Sequence, residues 1–411
     1  MTYTLQAPEK IRETIQLPSS KSISNRVLIM NELAGRCASL RNLSDCDDTK
    51  VMQQALEQNN TITDIHAAGT AMRFLTAYYA STAHTTTITG SERMKHRPIQ
   101  ILVDALRELG AHISYEGNEG FPPLNIQGQT LSGGEIQLSG SISSQYISAL
   151  MMIAPYMEKG LTIHITGDII SHTYIQMTAR LMQQFGAEVS FLDERTIRIP
   201  CGSYHKDSFL VENDWSGASY WYETMALSPN MDNSITLPGL YEDSLQGDSE
   251  ARNLFAPLGV RTQFCGQGVV LTKSSERCGF YEKDLKNQPD LAQTIVVTCA
   301  MLGIPFHITG LQTLRIKETD RLTALIQELG KLGIHLEEKN GNALLWNGET
   351  HYQQSPTPTI DTYEDHRMAM AFAPCALKIP SITINNPEVV SKSYPLYWED
   401  LEKAGFTIHN A

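Results

Sequence analysis

The chain has 411 residues, room for two domains of ordinary size, and 41% of them are hydrophobic, which fits a globular protein and not a disordered one. A net charge of -13 argues against nucleic acid or an anionic membrane as the main partner, because both are polyanions that an acidic chain repels. No leader-like apolar core follows the N-terminus and no stretch reaches the roughly 18 apolar residues of a membrane helix, so a cytoplasmic location is expected.

In chain order, a helix is expected from SSKSISNRVLIM and another from AAGTAMR, followed by the strand TTTITG that ends at Gly90. SERMKHRP then leads into LRELGAHISY, an amphipathic helix closed by glycine and followed by a strand. The same two patterns recur: strands TIHITG, SITLPG, FHITG and, degenerately, SITINN, alternating with LMQQFGAEVSF, LFAPLGVRTQF, LGKLGIHLEE and LEKAGFTI.

The strands end at Gly90, Gly167, Gly239, Gly310 and Asn386, spaced by 77, 72, 71 and 76 residues. The closing glycines Gly110, Gly186, Gly259, Gly333 and Gly405 are spaced by 76, 73, 74 and 72. A single helix, glycine, strand run is ordinary in any α/β protein, but two registers holding one period indicate a repeated unit of helices and strands. A sixth, looser copy begins at SSKSISNR.

Chemistry-bearing residues gather at the helix starts SSKSISNR, AAGTAMR, SSQY, NQPDLAQ and YEDHRMAM, and after the strands in SERMKHRP, DIISHTYIQM, LQTLRIKETDRL and PEVVSKSYP. Helix starts expose unpaired N–H groups and a partial positive charge, so small or hydroxyl residues beside Lys or Arg make anion receivers of them. Lys21, Arg26, Arg73, Arg93, Lys317, Arg321, Arg367 and Lys392 all fall in these segments, a large share of a chain with only 32 Lys and Arg. Any one of them could be a surface charge; together they imply a site for a multiply anionic substrate. Spacing does not choose among the 45 acidic residues: Asp290 could cap a helix, and Glu318, between Lys317 and Arg321, could be only an ion-pair partner. The seven cysteines form no C-x-x-C pair and read as free thiols, with no zinc site or other metal implied.

LPSSKSISNR, AAGTAMR, RMKHRP, SSQY, RIKETDRL and YEDHRMAM together resemble the 5-enolpyruvylshikimate-3-phosphate synthases, in order and spacing, over essentially the whole chain. KETDR combined with DHRMAM is specific; GTAMR alone would be weak. The resemblance implies an α/β enolpyruvyl transferase fold of two domains, each with three βαβαββ units about a pseudo-threefold axis. The expected boundaries are 18–212 for one domain and 1–17 with 213–411 for the other, with the active site in the interdomain cleft.

The implied reaction moves the enolpyruvyl group of phosphoenolpyruvate to the 5-hydroxyl of shikimate 3-phosphate by addition and elimination, in a monomer without a cofactor. Shikimate 3-phosphate would meet Lys21, Ser22, Arg26, Ser143, Ser144, Gln145, Ser171, Tyr174, Asp290 and Lys317. Phosphoenolpyruvate would meet Lys21, Gly69, Arg93, Gln145, Arg321, Arg367 and Lys392, with Arg73 nearby. The resemblance gives Asp290 the part of general base, Glu318 that of proton donor and Lys21 an assisting one.

Ser19, Ala67 and Phe74 depart from the glycine, asparagine and proline usual in the family, so the first two helix starts are expected to sit differently. A UDP-N-acetylglucosamine enolpyruvyl transferase is the nearest alternative, but it normally carries a cysteine in the segment corresponding to SERMKHRP, which has none here. A non-catalytic anion-binding homologue is the other.

Overall fold

Alternation of β-branched and small residues makes strands of the T-I-x-G segments, at Thr85–Thr89, Leu161–Thr166, Ser234–Pro238, Phe306–Thr309 and Ile382–Asn385. Their inward residues Ile88, Ile163, Ile235, Ile308 and Ile382 are completely buried. Asn386 shows why the degenerate copy still works: it leaves its strand at φ 48°, the left-handed region occupied by Gly167, Gly239 and Gly310, which asparagine tolerates better than most side chains. The five glycines closing the amphipathic helices all lie between φ 76° and 103°.

This computed structural model describes residues 1–58, 60–141, 143–350 and 357–410. The chain divides into two units, Lys21–Val211, and Met1–Ser20 with Glu212–Ala411.

Five sheets share one plan, in which the first strand runs parallel to the second, the fourth lies antiparallel on the second's other side, and the third is outermost. In Lys21–Val211 these are Ile62–Asp64, Thr85–Thr89, Leu124–Gln127 and His112–Tyr115, then Gly134–Ser139, Leu161–Thr166, Thr196–Ile199 and Ser190–Phe191. The looser sixth copy has two strands among the described residues, Ser39–Arg41 parallel to Ser208–Leu210.

Among the described residues the other unit holds three four-stranded sheets, and its N-terminal residues serve two of them. Arg12–Thr14 runs parallel to Ser234–Pro238, while Thr2–Gln6 stands between Ile382–Asn385 and Thr407–Asn410, with Tyr3 opposite both Ile384 and Asn410.

Inside each unit the first helix of every repeat packs against the other two: Lys21–Leu33, Gly69–Ala80 and Ser144–Ile153 in one, Trp215–Leu227, Ala292–Leu302 and His366–Phe372 in the other. A helix surrounded on all sides needs no polar face, and every residue of Trp215–Leu227 is buried. Among the described residues no helix is long and apolar enough to cross a membrane.

Candidate active site

In the unit Lys21–Val211, Lys21 opens its helix with Nζ 3.2 Å from Asp48 Oδ2. Arg26, further along the same helix, is 2% exposed. Its Nε donates to Thr178 Oγ1 at 2.7 Å, Nη1 to the Ser22 carbonyl at 2.9 Å and Nη2 to Ser148 Oγ at 3.3 Å. Its guanidinium carbon lies 5.1 Å from the Phe74 ring centroid and 5.9 Å from that of Tyr174. Burial, partly opposed by Tyr174, lowers its pKa to about 10, as expected of a cation held by hydroxyls and rings instead of a carboxylate.

Ser143 caps the helix Ser144–Ile153 by accepting from the Gln145 N–H at 3.3 Å, which leaves its own hydroxyl hydrogen to donate elsewhere. Ser144 is buried. The Gln145 amide donates to Thr70 Oγ1 at 3.1 Å, tying this helix start to that of Gly69–Ala80. Ser171 precedes the helix His172–Gln184 at φ 58° and makes no side-chain cap bond. A serine in that sparsely populated region marks a backbone position fixed by its surroundings.

A side chain at Gly69 would require the Arg97 guanidinium to move aside, because a Cβ there would run into it. Arg73 donates to the Gly69 carbonyl and to the Pro98 carbonyl, both at 3.1 Å, so it braces the turn Met94–His96 against the helix. Arg93, just before that turn, is exposed.

In the other unit all six expected residues join one network. Arg367 Nη2 lies 2.8 Å from Asp290 Oδ2, while Lys317 Nζ and Arg321 Nη1 are each 3.5 Å from Asp290 Oδ1. Glu318 pairs with Arg321 at 2.8 Å and with Lys392 at 3.6 Å. Of the two openings left by sequence, the ion pair holds for Glu318; for Asp290, the helix Ala292–Leu302 carries no side-chain cap bond at Leu291, and the Asp290 carboxylate faces the three cations. Burial alone would raise the Asp290 pKa, but Arg367, Lys317 and Arg321 outweigh it and hold the carboxyl well below the usual range.

Both halves thus offer cations at helix starts. The family model described as EPSP synthase (3-phosphoshikimate 1-carboxyvinyltransferase) matches residues 5–60 and 53–401. The chain belongs to the EPSP synthase family. A Bacteroides fragilis protein named 3-phosphoshikimate 1-carboxyvinyltransferase is 56% identical over 408 residues, covering 99% of each chain. One of the same name from Photobacterium profundum is 37% identical over 428 residues, 97% of this chain and 98% of its own. An EPSP synthase structure from Acinetobacter baumannii superposes with a TM-score of 0.77 at 20% identity, covering both chains completely, so the two share a fold.

Sequence reasoning passed over several residues around this EPSP synthase site. Asp365, completely buried, accepts from Arg321 Nε at 2.7 Å and from the Arg367 N–H at 2.9 Å. Its position before HRMAM signals a helix cap, but not its partner Arg321, 44 residues away. Asp248 accepts from Ser216 Oγ, and burial, then the Asp290 charge, push its pKa up to about 7. Tyr220 accepts from Arg367 Nη1 at 3.3 Å through its hydroxyl. Arg97 had a visible signal, a second arginine in RMKHRP.

Proposed function

We propose that this chain transfers the enolpyruvyl group of phosphoenolpyruvate to the 5-hydroxyl of shikimate 3-phosphate and releases phosphate, a step of chorismate and aromatic amino acid biosynthesis. The carrying observation is its 56% identity, over 99% of each chain, to a 3-phosphoshikimate 1-carboxyvinyltransferase. In this reading the enzyme works as a cytoplasmic monomer. All seven cysteines are free thiols, as suits a reducing compartment.

Shikimate 3-phosphate takes Ser143, Ser144, Ser171, Gln145, Ser22, Arg26, Tyr174 and Lys317, with hydroxyl donors at its phosphate. Phosphoenolpyruvate takes Lys21, Gly69, Arg93, Gln145, Arg321, Arg367 and Lys392, whose guanidinium forks suit phosphate and carboxylate. Its anionic groups compete with Asp290 and Glu318 for the same cations. Each cation drawn from Asp290 raises that carboxylate's proton affinity, which is what a general base requires.

Asp290 then takes the 5-hydroxyl proton as the oxygen attacks C2 of phosphoenolpyruvate, while Glu318 protonates the methylene carbon to methyl. A tetrahedral ketal phosphate results. Loss of a methyl proton and cleavage of the C2–O bond to phosphate restore the enol ether, with Lys21 assisting the departing oxygen. Positioning and fixed charge supply the acceleration.

The deciding experiment measures phosphate release from phosphoenolpyruvate with shikimate 3-phosphate and, in parallel, with UDP-N-acetylglucosamine. Release with shikimate 3-phosphate alone supports the reading. Release only with the nucleotide sugar, or with neither acceptor, overturns it.

A further inference from the structure

Three cations in the unit containing Glu212–Ala411 lie away from the helix starts, at the C-terminal end of the helix Trp215–Leu227. Lys273 Nζ donates to the Ala226 carbonyl at 3.2 Å, and Arg277 Nη2 donates to the same oxygen at 3.3 Å. Lys378 follows the turn Ala373–Leu377 and adds its charge at Lys273.

Arg277 is an exposed residue whose backbone is anchored on both sides. Its loop is pinned by the Ser274 N–H on the Gly259 carbonyl and the Cys278 N–H on the Pro257 carbonyl, each at 2.9 Å. Gly259, at φ 88°, lets the guanidinium lie against the backbone: a Cβ there would stand 2.9 Å from Arg277 Nε.

The usual role of cations at a helix C-terminus is to satisfy its last carbonyls. One donor would serve Ala226; here two share it and a third charge stands by. Among the described residues no carboxylate is among the groups acting on Lys273 or Lys378. Burial first, then Arg277 and Lys378, bring the Lys273 pKa from the usual 10.5 to about 8. A half-buried amine among like charges is therefore partly neutral near physiological pH, and a neutral amine is a nucleophile.

We propose that Lys273 is a modification site, an amine to which Arg277 and Lys378 direct phosphate-bearing acyl donors. The two neighbours hold the donor's phosphate as the Lys273 lone pair attacks the acyl carbon. The acyl carbon to phosphate–oxygen bond breaks, inorganic phosphate leaves with the electron pair, and the nitrogen gives its proton to water. The product amide carries no charge, which relieves the mutual repulsion, and Arg277 still serves the Ala226 carbonyl. Modification should leave fold and turnover intact.

The test exposes the full chain to limiting acetyl phosphate at pH 8 and follows each lysine by peptide mass spectrometry. Lys273 should acetylate at least about tenfold faster than the exposed Lys403, since one pKa unit alone is about tenfold in free amine. In the double variant R277Q/K378Q the excess should fall at least about threefold, the part owed to burial remaining, with phosphate-release turnover and the thermal midpoint unchanged. Equal rates at Lys273 and Lys403 in the wild type, or an undiminished excess in the variant, would overturn the proposal. If the double variant fails to fold, K378Q, which leaves the Ala226 bonds alone, must still slow Lys273.

Discussion

The Asp290 carboxylate meets the Arg367 guanidinium at 2.8 Å, with Lys317 and Arg321 each 3.5 Å away. Asp290→Asn removes both the proposed base and a counter-charge to those cations. Turnover with both substrates saturating should fall by about 10²–10⁴-fold, the usual share of a general base, while the KM for phosphoenolpyruvate should not rise. Near-normal turnover in steady-state assays would remove Asp290 as the base.

Phe74 lies against Arg26, with the guanidinium carbon 5.1 Å from its ring centroid. The position where the family usually has proline thus supports the cation proposed for the shikimate 3-phosphate site. Phe74→Leu should lose a cation–π term of about 0.5–1 kcal/mol and raise the KM for shikimate 3-phosphate roughly two- to fivefold, leaving that for phosphoenolpyruvate alone. Equal rises in both constants would assign Phe74 to packing only.

Arg315 clamps the segment that carries Lys317 and Glu318. It donates to Asp320 at 2.6 Å and to Glu338 on the strand Glu337–Lys339, while Asp320 caps the helix Arg321–Lys331. Arg315→Gln should lower kcat/KM by about tenfold through misplacement of that segment, with little change in thermal midpoint. Unchanged kinetics would show that the clamp is not needed for positioning.

Glu223 is completely buried on the helix Trp215–Leu227, and burial, against an opposing Thr298 hydroxyl, raises its pKa well above the usual 4.5. The unfolded chain releases this proton near 4.5 and the folded chain keeps it, so above that pH the unfolded state binds fewer protons. Stability owed to Glu223 is therefore complete below the unfolded value and declines as pH rises, by up to about 1.4 kcal/mol per unit. Denaturant unfolding at pH 5, 6.5 and 8 should show Glu223→Gln gaining on the wild type as pH rises. A pH-independent difference would rule this out.

The repeat was legible because its signals are local: glycine where a helix must end in the left-handed region, and T-I alternation where a strand faces inward. Asn386 was readable as a degenerate copy for the same reason. The thinning of the sixth, looser copy to Ser39–Arg41 and Ser208–Leu210 among the described residues was not, since SSKSISNR announces a helix and says nothing of how many strands follow. Basic residues of the site stand out at helix starts and Asp290 and Glu318 by position, but only the resemblance gives those two carboxylates catalytic parts. Asp365 and Asp248 escaped because their importance lies in partners brought close by folding, Arg321 and the Asp290 charge.

The first strand, Thr2–Gln6, finds its partners at Ile382–Asn385 and Thr407–Asn410. A ribosome therefore makes it well before them and must deliver all of the intervening chain before either neighbour exists. Lys21–Val211 is one continuous segment and can fold on the nascent chain as domains generally do. Ahead of it, Arg12–Thr14 can pair once Ser234–Pro238 is made, but Thr2–Gln6 waits far longer, so a strand made early is among the last to find its place.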